Sequence, residues 1–109
     1  MSCHVVTLAT AGATYRLSDL IALYDVAPDP SVVIQTLARE IRVEAHPDNL
    51  GLVFGGECAG VNLLRYGYIL SPTNGPRIYA YSGLTASTTN KYFVADTDDQ
   101  KLMVELVNY

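Results

Sequence analysis

The sequence predicts an all-β domain, a β-sandwich or jelly-roll variant carrying one short N-terminal helix. Three observations lead there. Apolar and polar residues alternate with a period of two in short runs over the last two-thirds of the chain, the spacing of strands with one buried face. Turn-forming residues such as Pro47-Asp48-Asn49 and Asn74-Gly75 separate those runs. Half of the 109 residues are hydrophobic and 17% are charged, which suits one packed core and argues against a disordered chain. Short strands with turn signals between them indicate two packed sheets. Residues 1–109 therefore read as a single domain, least regular between residues 14 and 38.

Taken in order, CHVVTLAT (3–10) forms a first strand. In RLSDLIALY, Leu17, Leu20, Ile21 and Tyr24 fall at i, i+3, i+4 and i+7, which predicts a short helix near residues 18–24. DVAPDPS is a loop. SVVIQTLA (31–38) is ambiguous: Asp29-Pro30 can open a helix, yet Val32, Val33 and Ile34 are β-branched and favour a strand or an irregular lead-in.

The strands after residue 38 are plainer. Ile41, Val43 and Ala45 alternate with Glu40, Arg42, Glu44 and His46, and LGLVFGG (50–56) follows across the turn, so the two runs predict a hairpin. RYGYIL (65–70) and RIYAY (77–81) flank Asn74-Gly75, a second hairpin signal. SGLTASTTN (82–90) is a small, polar loop. KYFVAD (91–96), the turn TDDQ and KLMVELVNY (101–109) complete the chain, with Leu102, Val104 and Leu106 as one inner face.

Charge and motifs narrow the function. Seven basic against eleven acidic residues, with no Lys or Arg cluster, disfavour nucleic-acid binding. No apolar run approaches the ~20 residues of a membrane span, and the start lacks the basic segment of a signal peptide, so folding in the cytosol is expected. His46-Pro47-Asp48 spells the J-domain tripeptide, but the alternation before it and the glycines after it belong to strands, not to that family's helices. Cys3-His4, His46 and Cys58 lack the paired spacing of a zinc site, so the cysteines are expected to be free and buried. DTDD (96–99) has Lys101 and Val107 where a calcium loop from Asp96 needs Gly and Glu, and reads as a solvated turn. Nucleophile and phosphate-loop motifs are missing, and the glycines of FGGECAG suit a bulge or close backbone approach.

Eight tyrosines and no tryptophan are the remaining signal. The period of two puts Tyr66 with Tyr68 on one face of their strand, and Tyr79 with Tyr81 on one face of theirs. These four are the candidate interface residues, because a tyrosine offers a broad apolar ring and a polar tip. Packing along the flank of a sheet through cross-strand pairs is the competing use.

The order of several pieces also carries a resemblance. Arg39-Glu40-Ile41-Arg42-Val43 is followed by Asp48-Asn49-Leu50-Gly51-Leu52-Val53 with Gly55-Gly56, then by Gly67-Tyr68-Ile69-Leu70-Ser71-Pro72. Asn90-Lys91-Tyr92-Phe93-Val94-Ala95 and Gln100-Lys101-Leu102-Met103-Val104 complete it. This order resembles a group of small virion proteins of tailed bacteriophages, over roughly two-thirds of the chain; the first third has no counterpart in that pattern. The resemblance implies a non-enzymatic capsid decoration or cement protein without cofactor or metal. It implies the major capsid protein as partner, a homo-oligomer (dimer or trimer), and a place on the virion surface after assembly in the host cytoplasm. Two other classes stay open: a receptor- or carbohydrate-binding β-module of the tail or a head–tail accessory protein, and a small β-fold enzyme with a pocket holding carboxylates or His4 and His46.

Overall fold

The period of two has its cause in two sheets that share one core. A computed structural model describes residues 2–24, 37–80 and 86–107. Its elements are β1 (Ser2–Leu8), β2 (Thr14–Arg16), α1 (Leu17–Tyr24), β3 (Leu37–Ala38), β4 (Glu40–Ala45), β5 (Val53–Gly56), β6 (Tyr68–Leu70), β7 (Arg77–Ala80), β8 (Ala86–Ser87), a 3-10 turn (Thr88–Asn90), β9 (Tyr92–Ala95) and β10 (Gln100–Val107). The fold is all-β. The described strands form two four-stranded antiparallel sheets, β1-β10-β4-β7 and β2-β9-β5-β6, with a two-stranded ribbon of β3 and β8.

One set of pairings, that ribbon included, is nested. β1 pairs with β10, β2 with β9, β4 with β7, and β5 with β6, so the chain winds as a doubled ribbon folded at the β5–β6 turn. The inner faces supply Val6, Leu8, Ile41, Val43, Leu102, Val104 and Leu106 from one sheet, and Val53, Leu70, Phe93 and Ala95 from the other. Helix α1 adds Leu17, Leu20 and Ile21 to the same core. Their spacing puts them on one helical stripe, and the Leu17 amide, left without an intrahelical partner, donates to the Lys91 carbonyl at 2.8 Å.

Several expectations are met. The short helix, the strands near both termini and the inner row Leu102, Val104 and Leu106 stand where the periodicity puts them. Most of SVVIQTLA lies outside the described residues; its last two form β3. Of the loop expected at 82–90, residues 86–90 form β8 and the 3-10 turn.

Both predicted hairpins are corrected. β4 and β5 belong to different sheets, as do β6 and β7, so residues 46–52 and 71–76 are arches that carry the chain across the core. Asn74-Gly75 cannot be a type I′ hairpin turn, which needs positive φ at both central residues. Among the described residues positive φ occurs only at Gly12 (79°) and Asp99 (58°).

Side-chain hydrogen bonds to and from the 46–52 arch do the work that ladder bonds would do in a hairpin. The Asn49 amide group donates to the Lys101 carbonyl and accepts from the Lys101 amide, each at 2.8 Å, as a strand residue would. Gly51 donates to Gln100 Oε1 and Leu52 to Asp96 Oδ1, both at 2.9 Å. A Cβ on Gly51 would come within 2.3 Å of Asp96 Oδ1 and Thr97 Oγ1, so this tight passage requires glycine.

The two faces of β10 give a direct test. Replacing fully buried Leu102 by Ala is expected to cost about 2–5 kcal/mol, and Met103→Ala on the outer face clearly less; urea unfolding of both variants measures the contrast.

Candidate functional site

The three described candidate tyrosines divide between the inside and the outside of the molecule. Tyr79 is 3% exposed and belongs to the core. Tyr68 packs inward beside it, its ring edge-on to Tyr79 (centroids 6.1 Å apart) and to Phe93 (6.4 Å). Tyr66 is 45% exposed, and its ring leans on Phe54 at 4.6 Å on the opposite face of the sheet. Tyr66 and Tyr68 therefore do not share a face: β6 begins at Tyr68, and the alternation does not extend back through Gly67. Tyr81 lies outside the described residues.

Glycine makes the inward site possible. Gly55 pairs with Tyr68 across β5 and β6, and a Cβ there would meet the Tyr68 ring at 2.7 Å. The ring occupies that missing volume, and the two hydroxyls, Tyr68 and Tyr79, hydrogen-bond to each other. Cations surround the pair. The Arg77 guanidinium lies 4.9 Å from the Tyr68 ring centroid and 5.7 Å from that of Tyr79, and Lys91 Nζ lies 4.6 Å from the Tyr79 centroid. Lys91 is 1% exposed; its ammonium donates to Asn90 Oδ1 at 2.5 Å and stands 3.5 Å from Glu57 Oε1.

Burial, reinforced by Tyr79, pushes the Tyr68 phenol far above its ordinary value; the nearby Arg77 pulls the other way and is overridden. A phenol that keeps its proton acts as a hydrogen-bond donor and not as a base. The cluster is thus a packed polar centre between the sheets, with half-exposed Glu57 at its rim.

On the outer side of the β2-β9-β5-β6 sheet, residues 57–67 fold back over a second apolar cluster of Phe54, Val61 and Val94, with Tyr92 against it. Thr14 Oγ1 donates to the Val61 carbonyl at 2.5 Å and ties this loop to β2. Asn62 shapes its tip: its Oδ1 accepts from the amides of Leu64 (2.8 Å) and Arg65 (3.0 Å), while Asn62 and Arg65 exchange backbone bonds. The fixed turn holds out Leu63 (40% exposed) and Leu64 (91%) beside Tyr66. A depression of about 330 Å³ lies under it, lined by Glu57, Cys58, Val61, Arg65 and Tyr66. Sequence reasoning missed the leucines; the available signal was Leu63-Leu64, an apolar pair after an Asx-turn residue and out of step with any period.

The remaining motifs stay apart. Cys3 and Cys58 are free, as expected, but both are exposed, which corrects the buried reading. Cys3 is on the solvent-facing side of β1 and Cys58 in the turn after β5. His4 lines a shallow depression of about 360 Å³ on the outer face of the β1-β10-β4-β7 sheet, with Arg42, Glu44 and Glu105 but without His46. His46 instead accepts the Asp48 amide at 3.1 Å, within the arch. Among the described residues no group of three or more His, Cys, Asp or Glu could hold a metal ion, and no helix is long and apolar enough to cross a membrane. Asp96 and Asp98 turn to backbone amides of Leu52 and Ala11, not to a common point.

The buried phenol sets a pH dependence. Unfolded, Tyr68 loses its proton near pH 10; folded, it holds it higher. Its contribution is complete below about pH 10 and falls by up to about 1.4 kcal/mol per pH unit above it. Urea midpoints between about pH 9 and 11.5 should show that decline, shallower in Tyr68→Phe.

Comparison with protein-family models, with curated proteins and with solved structures gives no match.

Proposed function

We propose that this chain is a non-enzymatic capsid decoration protein, a homo-oligomer that binds the major capsid protein on the surface of a phage head. The observation that carries this reading is the rigid apolar tip of Leu63 and Leu64 beside Tyr66. Two exposed leucines held by an Asx turn form a preorganised knob, which lowers the ordering cost of docking on a protein surface. On a symmetric shell such small contacts act in parallel, so a modest footprint suffices.

The strand order supports the same reading. Nested pairing of strands in two antiparallel sheets is compatible with the winding of a jelly roll, an architecture used by viral capsid proteins, lectins and cupins. Fold alone does not choose among those uses; the reading rests on the resemblance of the segments from Arg39 onward to small virion proteins. In a carbohydrate-binding module Tyr66 would be the stacking platform. Its ring is tilted 47° against Phe54, and the neighbouring exposed side chains Leu63 and Leu64 are apolar, a surface better suited to protein than to sugar.

Co-sedimentation with purified shells of the cognate major capsid protein tests the reading. The wild type should pellet with shells, and the double variant Leu63→Asp, Leu64→Asp should bind at least about tenfold more weakly, as expected for loss of a central apolar anchor, at unchanged thermal stability. Failure of the wild type to bind shells, or binding that the double variant leaves intact, overturns it.

A further inference from the structure

We propose that β1 is a self-pairing edge, through which two copies of this chain join antiparallel into one eight-stranded sheet. The inference deepens the homo-oligomer part of the reading above and stands whether or not a shell is the target.

The four sheet edges differ in protection. β2 and β6 are three residues long, and Pro72 follows β6 by one residue. β7 has four residues, opens with Arg77 and is preceded by Pro76. Short edges, proline and charge are the devices that prevent edge-to-edge association. β1 has none of them: it runs for seven residues as SCHVVTL, with three β-branched residues and no Pro, Asp, Glu, Lys or Arg.

The direction of its backbone groups follows from the ladder. In β10 the Lys101 amide and carbonyl are used toward Asn49 and His46, on the β4 side. Backbone groups alternate sides along an antiparallel strand, so residues 101, 103 and 105 bond toward β4 and residues 100, 102, 104 and 106 toward β1. Their partners on β1 are Leu8, Val6, His4 and Ser2. The amides and carbonyls of Cys3, Val5 and Thr7 therefore point away from the sheet, and no hydrogen bond among the described residues uses them. The side chains of those three residues lie on the outer face, where Cys3 is exposed and Val5 is 49% exposed. Leu17, Leu20 and Ile21 of helix α1 belong to the same core cluster as Val6 and Leu8 of β1.

A second copy supplies the matching edge. With a two-fold axis at Val5, Val5 meets Val5 of the second copy, Cys3 meets Thr7, and His4 meets Val6. All seven residues then overlap, and the three outward-facing pairs exchange about six hydrogen bonds, two per pair. No charged pair of like sign is brought face to face along the new ladder. Met103 neighbours Val5 on its own sheet, so the joint aligns Met103, Val5 and their copies in one apolar row across the outer face. The interface is isologous, as closed dimers require.

Light scattering and cross-linking test this on the full chain without any shell. Wild type should show twice the 11.8 kDa monomer mass, and Val5→Lys, which puts two ammonium groups at the axis, should return it to monomer with an unchanged far-UV spectrum. In a Cys58→Ser background, Thr7→Cys should oxidise to a covalent dimer through Cys3 of the second copy, while Lys101→Cys, one strand inward, should not. A wild type that stays monomeric at millimolar concentration overturns the proposal. So does a dimer that Val5→Lys leaves intact and Thr7→Cys fails to cross-link. Shell binding by a monomer would then preserve the decoration reading alone.

Discussion

β10 carries hydrogen-bond ladders on both of its edges, to β1 through seven register pairs and to β4 through six. The same eight residues also send Leu102, Val104 and Leu106 into the centre of the core. Without this strand, β1 would have no partner in its sheet, and the inner residues of the opposite sheet would face an open gap. Bonds from Asn49 and Gly51 of the 46–52 arch also end on its first two residues, Gln100 and Lys101. A single segment thus holds together a sheet, a core and a connection.

The second constraint is the polar centre between the sheets. Burying an ammonium and two phenols is costly unless each finds partners. Here the ring faces of Tyr68 and Tyr79, the Glu57 carboxylate and the Asn90 amide oxygen supply them. No described buried side-chain nitrogen or oxygen lacks a hydrogen bond. The glycine opposite Tyr68 is part of the same arrangement, since any side chain at Gly55 would occupy the space the ring needs. Such networks specify one arrangement of a core more strictly than apolar packing does.

Alternation along β4 and β10 made those strands readable, because each has one face in the core and one in solvent. Which strands pair was not readable, for a physical reason. A strand buried on one face has the same period whether the next run lies beside it or across the core, and turn residues mark a reversal without naming its partner. The hairpins expected at Pro47-Asp48-Asn49 and Asn74-Gly75 are therefore arches. Tyr79 gave no local sign of its burial, since Lys91, Tyr68 and the core residues around it come to its ring only through the fold. Leu63 and Leu64 were hidden differently: their exposure depends on the Asn62 turn and on Val61 filling the space beside Gly56.

The order of synthesis gives the central position of β10 another meaning. A ribosome releases β1 first and β10 last of the strands described here, yet the two are immediate neighbours. Throughout elongation the early strand waits with both of its sides unsatisfied, and sheet closure must follow emergence of residue 107. A nascent chain of this kind spends its vulnerable period with a flat, nearly uncharged strand in the open, where unpaired strand edges favour aggregation. Crowding of translating ribosomes on one message would bring such strands from separate chains together before either has met its own partner.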